Sequence, residues 1–267
     1  MPGINLSSPV VFVHGLIGTL QVPDLVQYFE PGRALAPDLL GYDSLRDVPP
    51  SDLSIPTQIA YLRATIETHF GPEPVHLVGH SIGGVIAALF AHSFKDRVQS
   101  LVSVEGNFTL NDAFWSASVA RMSPAEADQM LAGFRQDPAA WLARSGITPE
   151  PHFIEIGIRW LAQQPASTVQ AMAQSIVKET GSPDYLPKLR AVFAQHRVHL
   201  VAGERSRVDW DVQDWALQEA ASFTVIPKTG HLMMLENPSG FASTIVKLLS
   251  QPKEKTAKTR RTRSFQR

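Results

Sequence analysis

The stretch Val75-His76-Leu77-Val78-Gly79-His80-Ser81-Ile82-Gly83-Gly84 decides how the rest of the chain is read. Four apolar-rich residues form a short buried strand, and the run Ile82 to Ser93 is small and apolar, as a buried helix is. Between them stands Gly-His-Ser-Ile-Gly, a glycine-flanked serine at a strand-to-helix junction. Such a serine occupies a tight, strained turn, so the residues two before and two after it must be small. Gly79 and Gly83 meet that need, and Gly84 lets the helix pack closely. The turn lifts the hydroxyl above the sheet at a helix N-terminus, whose unpaired N–H groups favour developing negative charge. Ser81 is therefore the candidate nucleophile.

Working outward, short apolar runs alternate with longer amphipathic ones, the pattern of a parallel sheet flanked by helices. Val10 to Val13 reads as a first strand ending at His14-Gly15, and Ala34 to Ala36 as a second ending at Asp38. Ile55, Ile59, Leu62 and Ile66 give the span 54–70 a helical spacing that Gly71-Pro72 stops. Val98 to Val104 is a further strand, ending at Glu105. From about Asn107 to Pro187 the strand signal vanishes, and helical segments are broken by Pro124, Pro138, Pro149, Pro151, Pro165 and Pro183. Strands resume at Val198 to Ala202 and Ser222 to Ile226 with a helix between them, and a helix from Phe241 to Leu249 closes the domain. The expected organisation is an α/β core over residues 1–106 and 188–250, a helical cap over 107–187 and a basic tail over 251–267. With the first strand so near the start, a six-stranded, mainly parallel sheet is expected.

The chain has 267 residues, enough for one sizeable core with an insertion. A 44% hydrophobic, 18% charged composition is that of an ordinary globular protein. The formal net charge of −1 gives the body no electrostatic case for nucleic acid. Absence of cysteine excludes disulfides, a thiolate nucleophile and Cys-ligated metal sites. No basic region followed by an apolar run opens the chain, and no stretch approaches the ~20 apolar residues of a membrane span, so a cytoplasmic location is expected. Lys253, Lys255, Lys258, Arg260, Arg261, Arg263 and Arg267 stand against Glu254 alone, the composition of a solvated, unstructured end. Nothing in the sequence fixes an oligomeric state.

Taken in order, His14-Gly15-Leu16-Ile17-Gly18, Pro37-Asp38-Leu39-Leu40-Gly41-Tyr42, the Ser81 turn, and Gly230-His231-Leu232 followed by Glu236-Asn237-Pro238 resemble the α/β-hydrolase superfamily over roughly residues 9 to 250. The compact start is most similar to small plant-type esterases and hydroxynitrile lyases. Those lyases tend to carry threonine where this chain has Gly15, which argues against lyase chemistry. The resemblance implies that His231 is the general base and that the backbone N–H groups of Leu16 and Ile82 form an oxyanion hole, worth several kcal/mol to a tetrahedral transition state. Asp38 reads as a loop-fixing residue, and His14 and His80 as structural flanks of their motifs.

The third catalytic member departs from the family pattern. An aspartate is expected in a Gly-x-x-Asp context after the penultimate strand, but the segment is Gly203-Glu204-Arg205-Ser206. Glu105, at the end of the strand that follows the nucleophile helix, is the first choice for the acid. Certain haloalkane dehalogenases carry theirs at that strand end. Asp209, Asp211 and Glu204 are the alternatives. A buried carboxylate need only hold the imidazole tautomer and stabilise the imidazolium, and glutamate's extra methylene suits the longer reach.

A serine nucleophile suits acyl transfer rather than the alkyl displacement performed by an aspartate nucleophile. Phe108 and Trp115 are expected to line the substrate pocket, with Leu16, Leu232 and Met233, and to favour an apolar or aromatic acyl group. The resemblance thus implies a cofactor-independent, metal-free carboxylic ester hydrolase acting on a small molecule through an acyl-enzyme. Thioesterase, lactonase, amidase and carbon–carbon bond hydrolase are compatible with the same residues. A ligand-binding receptor that has lost turnover is the alternative from another class.

Overall fold

The computed structural model describes residues 6–21, 25 and 27–251. The basic stretch from residue 252 onward lies outside them, as do residues 1–5. A six-stranded parallel sheet forms the core: β1 (Val10–Val13), β2 (Ala34–Leu35), β3 (Val75–His80), β4 (Val98–Val104), β5 (Val198–Gly203) and β6 (Ser222–Ile226). The spatial order is β2-β1-β3-β4-β5-β6. Every residue of β1, β3 and β5 is buried, which explains their continuous apolar runs: helices cover both faces, so no polar alternation is needed. The second strand is shorter than its apolar run. Only Ala34 and Leu35 pair with β1, at Val10 and Val11, and Pro37, two residues further on, has no N–H to continue a ladder.

Helix α1 (Ile55–Phe70) starts at a capping box in which Ser54 accepts from the Thr57 N–H and the Thr57 hydroxyl accepts from the Ser54 N–H. It ends at Gly71, whose φ of 55° is left-handed. Helix α2 (Ile82–Ser93) is buried from Ile82 through Ala91 because it lies against the sheet between α1 and a later helix, α8 (Tyr185–Gln195).

Between β4 and α8 run α3 (Phe114–Ala120), α4 (Pro124–Gln136), α5 (Pro138–Arg144), α6 (Pro151–Ala162) and α7 (Ala166–Thr180). The prolines do more than break this segment. Pro124, Pro138 and Pro151 open α4, α5 and α6, where the missing N–H costs nothing and the fixed φ suits the first turn. The insertion is anchored to the core through α7, whose Ser175 hydroxyl accepts from the Ile55 N–H at 2.8 Å. After β5 come α9 (Asp214–Glu219), then α10 (Met233–Glu236) and α11 (Pro238–Leu249). The four-residue α10 is too short to leave a periodic signal. Among the described residues no helix is long and apolar enough to cross a membrane.

Two buried histidines tie neighbouring strands together. The His76 ring bonds Ser100 across β3 and β4 at 2.7 Å, and the His199 ring bonds Ser222 across β5 and β6 at 2.8 Å. Burial, reinforced by the charges of Arg197 and His76, lowers the His199 pKa to about 4, and burial lowers that of His14 to about 4. Both rings are then neutral in the folded protein, whereas unfolded histidine titrates near ~6.5. Below that pH the unfolded chain takes up protons that the fold refuses, so stability is full above about 6.5 and falls as the pH drops towards 4. The urea midpoint is expected to fall between pH 7 and pH 5, and His199→Gln to flatten that slope; a parallel slope in the variant would refute His199's part in it.

Candidate functional site

The turn between β3 and α2 forces Ser81 to φ 55° and ψ −124°, a conformation that disfavours any side chain and needs its surroundings to hold it. The Ser81 N–H donates to the Val104 carbonyl at 3.0 Å, tying the turn to the end of β4, and its hydroxyl is not spent capping α2. A Cβ on Gly79 would meet the backbone of Gly83 and come within 2.7 Å of Gly84 Cα, so the turn closes only because these positions are bare.

One strand over, Glu105 ends β4 with a second left-handed conformation, φ 45°. Its N–H donates to the Val201 carbonyl at 3.0 Å, and its side chain is 4% exposed. Three donors converge on its carboxylate. His231 Nδ1 lies 2.5 Å from Oε2, while Oε1 accepts from the Gly203 N–H at 2.8 Å and from the Ser206 hydroxyl at 2.6 Å. Burial pushes the Glu105 pKa up, but the bonds and charge from His231, Ser206 and Gly203 outweigh it, leaving the group below the usual carboxylate range. Ser206, the residue standing where the family pattern has aspartate, thus hydrogen-bonds the carboxylate that reaches the imidazole.

The other acids are engaged elsewhere. Asp211 accepts from Thr109 at 2.6 Å and Asn111 at 3.0 Å, and Glu204 from the Lys228 N–H at 2.7 Å. Asp209 sits on an exposed turn after β5. Asp38 accepts from Gln21 and Ser44 at 2.8 and 3.1 Å, bracing its loop.

The histidine loop is braced from two sides. Glu236 accepts from the Gly230 N–H at 2.6 Å and pairs with Arg205, which also donates to the Lys228 carbonyl at 2.6 Å. His80 Nε2 donates to the His231 carbonyl at 2.9 Å, with the ring centroids 4.6 Å apart. Burial, and then the neighbouring His231, hold His80 well below the usual histidine range, so it stays a neutral donor.

The loop after β1 is fixed peptide by peptide. His14 Nδ1 donates to the Gly15 carbonyl at 2.8 Å, and its Nε2 accepts from the Leu39 N–H at 3.2 Å, which sets the tautomer. In a trans peptide the Leu16 N–H points opposite to that Gly15 carbonyl. Tyr42, buried with its edge against the His14 ring, donates to the Leu16 carbonyl at 3.0 Å. The sequence marks His14 and Tyr42 only as members of the motifs that carry the resemblance, and these three bonds are not legible in it.

Ser81, Glu105 and His231 border one cavity of about 580 Å³. Leu16, Trp115 and Leu232 line it, as do Met122, Met130, Phe134 and Trp141 from the inserted helices. Phe108 and Met233 do not line it. Phe108 turns into a packed cluster with Phe193, Trp210 and Trp215, and Met233 is fully buried at the start of α10. Ile82 is buried as the first residue of α2, so its backbone rather than its side chain belongs to the turn. Among the described residues no group of three His, Asp or Glu could hold a metal ion.

A sheet of this order, with serine, glutamate and histidine at neighbouring loop positions around one cavity, defines a class of hydrolase-fold proteins. The family model described as alpha/beta hydrolase family matches residues 10–244, and the chain belongs to that family. A pimeloyl-[acyl-carrier protein] methyl ester esterase from Aeromonas hydrophila is 32% identical over 131 residues, covering 45% of this chain and 51% of that protein. The match thus spans about half of the curated relative's length. The fold is similar to MenH from S. aureus (TM-score 0.69, 17% identity, 93% and 95% of the two chains). It is likewise similar to a thermophilic esterase from Thermogutta terrifontis (TM-score 0.65, 23% identity, 93% and 90%).

Loss of the Ser206 hydroxyl removes one charge-assisted bond to a buried carboxylate, a change worth about 1–3 kcal/mol. Ser206→Ala is expected to lower the urea midpoint at pH 7 accordingly; a variant as stable as the parent would refute that bond.

Proposed function

We propose that this protein is a cofactor-independent serine hydrolase of carboxylic esters of fairly apolar or aromatic small molecules, working through an acyl-enzyme. The observation that carries the reading is the Glu105 carboxylate 2.5 Å from His231 Nδ1, with Ser81 on the wall of the same cavity. In this reading His231 takes the Ser81 proton as the hydroxyl attacks the ester carbonyl. The Leu16 and Ile82 N–H groups bind the oxyanion, and the buried Glu105 carboxylate stabilises the imidazolium. The imidazolium returns its proton to the departing alcohol. Water, deprotonated by His231, then cleaves the acyl-enzyme and frees the acid. Residues 107–187 act as a cap that supplies the apolar wall and excludes bulk water.

Thioesters, lactones and amides fit the same sequence of steps. The Aeromonas relative acts, by its name, on a methyl ester, and that favours a small leaving alcohol for this chain too. A carboxylate facing His231 favours turnover over the ligand-binding receptor alternative.

A fluorophosphonate is expected to add once to the wild type and not at all to Ser81→Ala, read by intact mass. Absence of an adduct on folded wild type would overturn the serine-hydrolase reading. Glu105→Gln is expected to lower kcat roughly 10²–10⁴-fold while Asp211→Asn stays near wild type. The opposite ranking would move the acid to Asp211. His14 and Tyr42 act as positioning residues for the Leu16 peptide. Tyr42→Phe is expected to lower kcat about tenfold with KM little changed, because the oxyanion is bound only as it forms. A change in KM alone would assign Tyr42 to ground-state binding.

A further inference from the structure

Arg144 ends α5 on the wall of the cavity that Ser81 and His231 border. It is the one Lys or Arg among the residues lining that cavity. Its guanidinium lies 5.3 Å from the centroid of the Phe134 ring, another part of the wall. That contact engages the cation with one ring, and a guanidinium so placed can still grip a carboxylate with two parallel N–H bonds. Among the described residues no salt bridge takes it up.

The acids bordering the cavity do not compete strongly for it. The Glu105 oxygens accept from His231, Gly203 and Ser206. Asp112 accepts from the Phe108 N–H at 2.8 Å and from the Thr109 N–H at 3.3 Å, inside its own loop. Asp209 remains, on the exposed turn after β5, beyond ion-pair distance of Arg144. Apart from these groups, Asn107, Ser116 and Ser145, the inserted helices line the cavity with apolar side chains, among them Met122, Met130, Phe134 and Trp141. A chain of methylenes fits such a wall, and a single guanidinium at its margin neutralises one negative charge rather than two.

We infer that the substrate carries a carboxylate as well as the ester: a monoester of a dicarboxylic acid, with its free carboxylate on Arg144 and its ester carbonyl at Ser81. The inference rests on the serine-hydrolase reading and adds a substrate class to it. The reaction consumes one water, breaks the ester C–O bond and releases the alcohol and the dicarboxylate, with the new carboxyl proton passing to solvent. The methylenes between the two ends span a fixed gap, so turnover has an optimum chain length.

The test compares monomethyl esters of dicarboxylic acids of increasing length with methyl alkanoates of matched length, in wild type and Arg144→Gln. The expected result is a half-ester preferred over its neutral match by at least about tenfold in kcat/KM at one length, with the ratio collapsing in Arg144→Gln. Neutral esters hydrolysed as well or better at every length, with the ratio unchanged in the variant, would overturn the carboxylate inference and leave the esterase reading standing. Binding is measured separately, by calorimetry of the same half-esters on Ser81→Ala, alone and combined with Arg144→Gln. About tenfold weaker binding in the double variant supports the Arg144 contact even if no ester is turned over, and equal binding refutes it. Absence of both turnover and fluorophosphonate labelling counts against the hydrolase reading instead.

Discussion

A glutamate carboxylate removed from water faces a histidine ring, and the geometry around it is arranged so that this charge stays where it is. Burial alone would drive Glu105 towards the neutral acid. His231, the Gly203 N–H and the Ser206 hydroxyl reverse that tendency by filling both oxygens with donors. The donors come from the end of β5, the turn after it and the loop after β6, so the charge also holds these segments together. The left-handed backbone at Glu105, like that at Ser81, is a local cost borne because the neighbouring strands bond both residues: Ser81 to Val104, Glu105 to Val201.

Two kinds of support hold the site, and they differ in physical character. Around Ser81 and the loop after β1 the support is backbone and tautomer: bare glycines let chains approach, and neutral His14 and His80 each donate to a carbonyl. Around His231 the support is charge, with Arg205 and Glu236 fixing the loop from outside and Glu105 from below. Neutral bonds resist changes of ionic strength, whereas the exposed Arg205–Glu236 pair is weakened by salt.

How much of this could be read beforehand followed from how local each signal is. The strands Val10–Val13, Val98–Val104 and Ser222–Ile226 and the helix Ile82–Ser93 were legible residue for residue, because short runs rich in β-branched and aromatic residues differ in length and composition from the helix between them. Ser81 stood out as a candidate because glycines flank it at a strand end, His231 because of the Gly230-His231-Leu232 motif after the last strand, and Glu105 because Ser206 stands where the family pattern has aspartate. Phe108 and Met233 were misjudged as pocket residues: proximity in sequence to a site says nothing about which way a ring turns, and the rings of Phe193, Trp210 and Trp215 offered Phe108 a better-packed environment. The roles of Ser206, Tyr42 and Arg144 were out of reach. Each depends on a contact across a long separation in the chain or on the orientation of a side chain, and no periodicity encodes either.

Because the carboxylate that meets His231 arrives from β4, the turn that follows β5 is relieved of supplying one. That turn reaches the carboxylate through the Gly203 N–H and the Ser206 hydroxyl and braces the histidine loop through Arg205, all at or before Ser206. Substitutions beyond Ser206 that keep the Trp210 bond to the Gly106 carbonyl and the Asp211 bonds to Thr109 and Asn111 leave the donors to Glu105 in place. The segment from Arg207 to Asp211 borders the cavity through Asp209 and Trp210, so drift in it reshapes the entrance while the chemistry below is preserved. Evolution is thereby offered a separable dial: one edge of the mouth can be retuned to new ligands independently of the residues that would break the bond.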